Sequence, residues 1–278
     1  MLMEIPRRRL GRTGIDVTIL GLGGEGVLRT FGQEKEAYQL INRAVDIGIT
    51  YCESARAYSG SESYYGLALK ERRKKIFLTS KSHARDKKGA LEHLHDTIRN
   101  MKTDHLDLWQ VHDVRTDEEI EEIFGKGGAI EAFMEAKEQG LVRFIGLTGH
   151  HDPQILRKCI GLFDFDTVLL PVNPAEPHYK SFIGQVMPLA IERGMGIVAM
   201  KVYFRGAAAQ IAPGNLDLFY RYALSQQVTT AVIGCDTIAQ LEENVRFALA
   251  YSPLTEDEQE MLSKQLSPIA RRLMYYKP

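Results

Sequence analysis

Residues 76–112 read IFLTSKSHARDKKGALEHLHDTIRNMKTDHLDLWQVH. The two ends of this stretch, Ile76–Lys81 and Leu106–His112, are short apolar runs of strand length. Between them, apolar residues recur at the spacing of one helix face: Leu91, Leu94, Ile98 and Met101. A strand, a helix and a second strand in this order predict a βα unit and a parallel sheet.

The same alternation continues along almost the whole chain and gives eight β-rich runs. These are Ile19–Gly21, Thr50–Glu53, Ile76–Lys81, Leu106–His112, Phe144–Thr148, Thr167–Val172, Gly196–Lys201 and Thr230–Gly234. Eight such units predict an α/β fold, a closed (β/α)8 TIM barrel. The segment Arg9–Gly14 predicts an N-terminal β-hairpin, and the stretch after Ala250 predicts an extra C-terminal helix. We expect residues 1–278 to form a single barrel domain.

The composition and the N-terminal residues favour a soluble, cytoplasmic protein. The formal net charge of −1 gives no reason to expect nucleic acid or a membrane surface as a partner. Three cysteines occur without a Cys-x-x-Cys pair, so we expect neither a disulfide framework nor a cysteine-ligated metal centre. Residues 1–6 lack an apolar leader, and no run reaches the roughly 18 apolar residues of a membrane span. The sequence does not indicate an oligomeric state.

Four side chains with acid–base chemistry lie at or just after the C-terminal ends of successive predicted strands. They are Glu53, Tyr58, Lys81 and His112. Active sites of βα-barrels lie at this end of the strands. Each residue alone has a structural interpretation, as a surface lysine, a rim aromatic, a core histidine or a structural glutamate. Their placement together predicts a catalytic site.

The chemistry expected of these four residues is proton donation to a developing alkoxide. A tyrosine has a reference pKa near 10, so a neighbouring cation is expected to stabilise its phenolate. Lys81 supplies that charge to Tyr58, and Glu53 would keep the lysine protonated and in place. His112 would orient a substrate carbonyl oxygen or assist the proton transfer.

Four motifs along the chain resemble those of the aldo-keto reductases. They are Leu10–Gly14 with Gly21–Gly24, Tyr58–Glu62, Gly140–Gly146 and Gln240–Asn244. The resemblance implies a barrel that transfers hydride from a nicotinamide cofactor to an aldehyde or ketone. It also implies a catalytic tetrad in which Tyr58, Lys81 and His112 keep the family's residues. Glu53 stands where the family has aspartate, so we expect reduced or altered activity.

The resemblance implies an extended dinucleotide across the barrel mouth. Thr148 matches a family serine at the nicotinamide amide, whereas Gly149, Leu169 and Met200 replace an asparagine, a glutamine and an aromatic ring. The implied cofactor-binding positions are Gly23, Gly24, Thr148, Gly149, Met200, Lys201, Tyr203, Arg205, Gly234, Cys235, Asp236, Gln240, Glu243 and Asn244. Glu25 and His150 are expected to line the substrate pocket.

The resemblance implies NADP(H) as the usual cofactor, but the Asp236 carboxylate would repel a 2′-phosphate. NAD(H) is therefore an alternative. The short tail, Met274–Pro278, suggests an open substrate pocket.

Two other functions are compatible with the sequence. The first is a regulatory or sensor protein that binds nicotinamide nucleotides with little catalysis, because Glu53 and the incomplete amide contacts depart from the family pattern. The second is a metal-dependent hydrolase using Glu53, His112 and His150, which is disfavoured because no His-x-His pair ends a strand.

Overall fold

The computed structural model of the chain describes residues 4–278, so the expectation about the apolar leader falls partly on residues outside it. Ten strands lie within this range. They are β1 (Arg7–Arg9), β2 (Asp16–Thr18), β3 (Leu20–Gly26), β4 (Tyr51–Glu53), β5 (Phe77–Ser82), β6 (Leu106–Val111), β7 (Val142–Thr148), β8 (Thr167–Pro171), β9 (Gly196–Met200) and β10 (Thr230–Cys235). Strands β3 to β10 form a closed barrel in sequence order, with every neighbouring pair parallel.

Thirteen α-helices lie in the described part of the chain. They are α1 (Glu34–Ile47), α2 (Ser61–Ala68), α3 (Lys87–Met101), α4 (Asp117–Phe124), α5 (Ala129–Glu138), α6 (Pro153–Leu162), α7 (Phe182–Gln185), α8 (Met187–Glu192), α9 (Ala208–Ile211), α10 (Leu216–Ser225), α11 (Ile238–Leu249), α12 (Glu256–Leu266) and α13 (Ala270–Leu273). The predicted C-terminal helix is α12, which begins with a capping box between Thr255 and Glu258.

The predicted N-terminal hairpin is confirmed, because β1 pairs antiparallel with β2. Leu10 and Val17 pack with Tyr51, Leu108 and other inward-facing barrel residues. A side chain on Gly11 would come within 2.2 Å of the backbone at Gly196, the first residue of β9. The hairpin therefore closes the barrel at the end where the strands begin, and the opposite end is left for the site.

Two apolar layers hold the barrel together. The inner layer includes Tyr51, Phe77, Leu108 and Leu169. The outer layer lies between strands and helices, where Leu40 and Ile41 of α1 are fully buried, and Leu94 of α3 is fully buried as its spacing predicted. Trp109 stacks on Phe133 of α5, with ring centroids 3.7 Å apart, and so packs in this outer layer.

The described residues contain no helix that is long and apolar enough to cross a bilayer. Cys52, Cys159 and Cys235 are buried and carry free thiols.

Candidate active site

The structure brings the four predicted catalytic side chains together at the C-terminal mouth of the barrel. Glu53 is the last residue of β4, Lys81 lies in β5, His112 follows β6, and Tyr58 lies in the turn before α2. Lys81 Nζ is 3.2 Å from Glu53 Oε1 and 3.5 Å from Tyr58 Oη. The Tyr58 and His112 rings are nearly perpendicular, with centroids 6.0 Å apart.

Lys81 is almost completely buried and donates to the carbonyl of Ser54 at 2.9 Å as well as pairing with Glu53. Burial lowers the pKa of Lys81, and the Glu53 carboxylate opposes that fall. The pair therefore holds an ammonium group in an environment that would otherwise favour the neutral amine.

Glu53 reaches Lys81 despite its extra methylene. Only one carboxylate oxygen takes part, because Glu53 Oε2 is buried and has no hydrogen-bond partner among residues 4–278. Glutamate at this position thus still forms an ion pair with the lysine, and its second carboxylate oxygen, Oε2, remains without a hydrogen-bond donor.

Tyr58 is positioned by its own turn and by a glycine of β3. Its N–H donates to the carbonyl of Ala55, and α2 begins three residues later. A Cβ on Gly24 would lie 2.6 Å from the Tyr58 ring, so this glycine is required for the ring to pack against β3. The space beside Gly24 is therefore taken by the Tyr58 ring.

The pKa of Tyr58 is raised well above its usual value. Burial is the largest cause, followed by the carboxylates of Glu53 and Glu25, while the Arg29 guanidinium opposes them. The neighbouring lysine alone was expected to stabilise the phenolate, but burial and carboxylates outweigh it here. The phenol is therefore protonated at neutral pH, as a proton donor must be.

Glu62 is a buried carboxylate whose role the sequence did not reveal. It accepts hydrogen bonds from Ser80 Oγ at 2.8 Å and Thr97 Oγ1 at 2.6 Å, and it contacts Arg56 and Asn100. These partners come from β5, α3 and the turn itself. Glu62 therefore fastens the first turn of α2, and with it the Tyr58 turn, to the barrel. Its position four residues after Tyr58 was the available signal.

His112 is held by its backbone. Its N–H donates to the carbonyl of Ser82, and its own carbonyl accepts from Arg85. Burial, followed by the Lys81 ammonium, lowers the pKa of His112 well below its usual value. His112 is therefore a neutral imidazole at physiological pH. Its Nδ1 has no partner within the described chain.

The nicotinamide-side residues expected from the sequence lie at the ends of β7 and β9. Thr148 is buried, and its Oγ1 accepts from the backbone N–H of Asp113 at 3.1 Å. Gly149 follows it, and a Cβ there would overlap the side chain of Leu156. Met200 is half-buried at the last position of β9.

The expected phosphate and adenosine residues line one rim of the mouth. Lys201 and Arg205 adopt left-handed backbone conformations, with φ of 57° and 54°, in the turn after β9. Burial lowers the pKa of Lys201 to about 8. Tyr203 Oη donates to Asn244 Oδ1 at 2.9 Å, which joins this turn to α11.

The remaining rim residues lie at the end of β10 and the start of α11. A Cβ on Gly234 would lie 2.6 Å from Glu25 Cβ. Cys235 is buried against Asn244, whereas Asp236 is exposed and its N–H donates to Gln240 Oε1 at 2.7 Å. Glu243 is half-buried on α11.

Glu25 and His150, the two expected substrate-pocket residues, face different charged partners. Glu25 pairs with Arg29 at 2.7 Å and lies 3.7 Å from Arg205. His150 Nε2 lies 3.3 Å from Asp113 Oδ1. Within residues 4–278, no group of three His, Cys, Asp or Glu side chains is arranged to hold a metal. The metal-dependent hydrolase therefore gains no support from the geometry.

The expectation of an open pocket beneath a short tail is wrong. Tyr276 and Lys277 are buried, and Lys277 Nζ is 2.7 Å from Glu176 Oε1. The Tyr276 ring meets the His150 ring edge-on at 5.5 Å, and Lys201 Nζ lies 4.8 Å from its centroid. The tail therefore covers the mouth beside β7 and β9, a contact between residues too distant in sequence to be anticipated.

The sequence matches a known protein family. A family model described as "Aldo/keto reductase family" matches residues 19–210. The chain is 24% identical to the uncharacterized oxidoreductase YqkF of Bacillus subtilis, over 91% of this chain and 94% of that protein.

Solved structures of the same fold cover almost the entire chain. The holo form of aldo-keto reductase AKR11C1 from Bacillus halodurans superposes with a TM-score of 0.78 at 23% identity, covering 95% of this chain and 96% of that one. An aldo-keto reductase from Klebsiella pneumoniae in complex with NADPH gives 0.75 at 18% identity, covering 96% of each chain.

Proposed function

The chain belongs to the aldo/keto reductase family, which makes it an oxidoreductase of carbonyl compounds, and we propose that it reduces an aldehyde or ketone to an alcohol with NAD(P)H. The observation that carries this proposal is the contact of Tyr58 with the buried Lys81–Glu53 pair beside a neutral His112. That arrangement presents a protonated phenol and an imidazole to one carbonyl oxygen.

The residues at the mouth fit a nicotinamide dinucleotide better at its phosphates than at its amide. Lys201 and Arg205 offer two cations where an anionic pyrophosphate would bind, and the half-buried Lys201 would regain charge beside it. Gln240, Glu243 and Asn244 on α11 would hold the adenosine end, and Thr148 is the hydroxyl offered to the amide. When bound, the cofactor supplies the hydride that adds to the carbonyl carbon.

The protein side chains then complete the reduction. Tyr58 donates its phenolic proton to the carbonyl oxygen as negative charge develops there, which yields the alcohol. Lys81 stabilises the phenolate that remains, and Glu53 keeps Lys81 charged. His112 donates one hydrogen bond to that oxygen as a neutral imidazole and so orients it toward Tyr58.

The decisive experiment compares Tyr58→Phe with the natural protein. We expect kcat for a reducible aldehyde to fall by roughly 10²- to 10⁴-fold, because general acid catalysis contributes about that much. Fluorescence titration should give similar dissociation constants for NADPH and for NADH in both proteins. The matched control is Tyr38→Phe, since Tyr38 lies exposed on α1.

Titration with both cofactors also separates the proposal from its alternative. Retention of most carbonyl reduction by Tyr58→Phe would contradict the acid assignment. Tight cofactor binding without turnover of any carbonyl compound would favour the sensor. Tighter binding of NADH than NADPH would agree with the exposed carboxylate of Asp236 at the rim.

A further inference from the structure

Arg85 carries a largely buried guanidinium to which the mechanism above gives no role. It lies between β5 and α3, and its side chain is 15% exposed. Its Nη1 donates to the carbonyl of His112 at 2.9 Å, and its Nη2 donates to the carbonyl of Asp113 at 3.1 Å. Nη2 also pairs with Glu119 Oε1 at 3.1 Å. The guanidinium therefore spans two successive carbonyls of the turn that follows β6.

The turn that Arg85 contacts has an uncommon backbone conformation. Asp113 has a φ of 55°, in the left-handed region that residues other than glycine adopt rarely. Its N–H donates to Thr148 Oγ1 at 3.1 Å, and the N–H of Val114 donates to the carbonyl of Thr148 at 3.3 Å. Such a conformation persists only where its surroundings enforce it. Arg85 and the end of β7 supply those contacts here.

His112 depends on this turn for the direction of its side chain. Its N–H donates to the carbonyl of Ser82, and its own carbonyl accepts from Arg85. The ring Nδ1 has no hydrogen-bond partner within residues 4–278, and the ring meets Tyr58 edge-on with centroids 6.0 Å apart. Since no partner holds Nδ1, the position of the imidazole depends on the backbone that carries it.

Two helices hold Arg85 itself in place. Glu119 of α4 accepts from Arg85 through Oε1, and its Oε2 accepts from the N–H of Arg115 at 2.6 Å. The carbonyl of Arg85 accepts from the N–H of Ala129, the first residue of α5, at 2.8 Å. Both the side chain and the backbone of Arg85 are therefore fixed against the outer layer of the barrel.

We propose that Arg85 is a positioning residue for the reduction, which holds the His112 imidazole where it can hydrogen-bond the carbonyl oxygen of the substrate. This role rests on the proposed reductase function. Arg85 acts through the backbone carbonyls of His112 and Asp113 and contacts neither substrate nor cofactor. Its removal should therefore affect the reaction only when the imidazole is present.

A double-mutant cycle tests this dependence with single-turnover reduction of an aldehyde by NADPH. Arg85→Met should lower the rate constant by roughly 10- to 100-fold, because misplacing a catalytic group by about 1 Å can cost that much. The dissociation constant of NADPH should stay the same. In a His112→Ala background, Arg85→Met should have little further effect, since the two residues act as one unit. An equal loss in both backgrounds, or no loss in either, would overturn the proposal.

The matched control is Arg73→Met. The Arg73 side chain is also 15% exposed, donates to the backbone carbonyls of Ile76 and His105, and pairs with Asp107 at 2.8 Å. These contacts lie at the opposite end of β5 and β6, away from the mouth. Arg73→Met should lower stability about as much as Arg85→Met but keep the natural rate constant. An equal loss of rate in the two variants would show that Arg85 acts only through stability.

A spectroscopic readout separates this role from the reductase function. The imidazole nitrogen resonances of His112 should shift in Arg85→Met and stay in place in Arg73→Met. Arg85→Lys keeps the charge without the planar pair of donors, so it should give a smaller shift, and it replaces Arg85→Met in every measurement if that variant does not fold.

The two assignments can therefore fail separately. If the natural protein reduces no carbonyl compound but the His112 resonances shift as expected, the contact of Arg85 with His112 stands and the reductase assignment fails. If the protein is a reductase and the His112 resonances are the same with and without Arg85, the positioning role is overturned.

Discussion

Two buried lysine–glutamate pairs lie near the barrel mouth and differ in how completely their hydrogen-bonding capacity is used. The side chains of Lys81 and Glu53 are 1% and 6% exposed, and those of Lys277 and Glu176 are fully buried. Lys277 donates to Glu176 Oε1 and to the carbonyls of Tyr179 and Lys180. Glu176 also accepts from Ser181 Oγ and from two backbone N–H groups, those of residues 182 and 183.

The pair at the candidate catalytic centre is less complete. Lys81 and Glu53 are 3.2 Å apart, against 2.7 Å for Lys277 and Glu176. One oxygen of Glu53 is unused by residues 4–278, and one proton of Lys81 points to the Tyr58 hydroxyl at 3.5 Å. Removing two charges from water is costly, and full hydrogen bonding offsets that cost. The saturated pair therefore anchors the tail, whereas the Lys81–Glu53 pair retains unused hydrogen-bonding capacity.

The largest effect on activity is expected from Lys81→Met, which tests whether the two lysine–glutamate pairs have separate roles. Loss of the ammonium beside Tyr58 should lower kcat by roughly 10²- to 10⁴-fold, the range of acid–base contributions, while cofactor binding persists. Single-turnover kinetics with a reducible aldehyde measures the loss, and the exposed Lys88→Met is the control. An equally large loss of kcat in Lys277→Met would show that the two pairs do not have separate roles.

Lys277→Met should act on stability. It leaves the Glu176 carboxylate buried without its countercharge, so the free energy of unfolding should fall by about 3–5 kcal/mol. Urea denaturation provides the measurement. The control is Lys264→Met, whose exposed pair with Glu260 should be worth about 0–1 kcal/mol. A loss as small as that of the control would contradict the anchoring role.

Glu53→Gln tests the role of the Lys81–Glu53 pair through the pH dependence of kcat. The Glu53 carboxylate opposes the fall in the pKa of Lys81, so its removal should lower that pKa further. Lys81 loses its proton as pH rises, and the alkaline limb of the kcat profile should therefore move to lower pH, with kcat at neutral pH about tenfold lower. If the alkaline limb of the variant lay at the same pH as that of the natural protein, Lys81 would not be the group whose deprotonation causes it. Glu260→Gln should leave the profile unchanged.

The smallest effect concerns Lys201, a third lysine at the mouth. Its pKa of about 8 means that it is protonated below that pH and neutral above it, so an anionic dinucleotide should bind about tenfold more weakly above pH 8. Fluorescence titration with NADPH between pH 6.5 and pH 9 tests this at constant ionic strength. Lys201→Gln should bind weakly at every pH in that range. If NADPH binding to this variant still weakened above pH 8, the pH dependence would come from another group.

The sequence predicted the fold and the grouping of Glu53, Tyr58, Lys81 and His112 because both depend on local patterns. Alternating apolar runs specify strands and helices, and the barrel then brings the strand ends together. Glu53, Lys81 and His112 needed only their strand positions to be identified. All eight barrel strands lie where the pattern indicated, although β3 runs to Gly26, beyond the predicted Gly21.

The surroundings of the centre depend on contacts that no local pattern encodes. The tail meets Glu176 and His150 about 100 or more residues away in the chain. Asp113 and His150 approach each other across two neighbouring strand ends. The direction of the Tyr58 pKa required the burial of the ring and the positions of Glu53 and Glu25, and these follow only from the packed structure.

Closure of the barrel has to wait until the ribosome has synthesised the last strand, β10. β3 pairs with β10, and Leu20 has Ala231 as its partner, roughly 210 residues later. At about 5–20 residues per second, the ribosome needs roughly 10–40 s to supply that partner. One edge of β3 stays open for that time. Four of its seven residues are glycine, which has a low intrinsic preference for strands, so β3 depends on its barrel neighbours for its strand conformation.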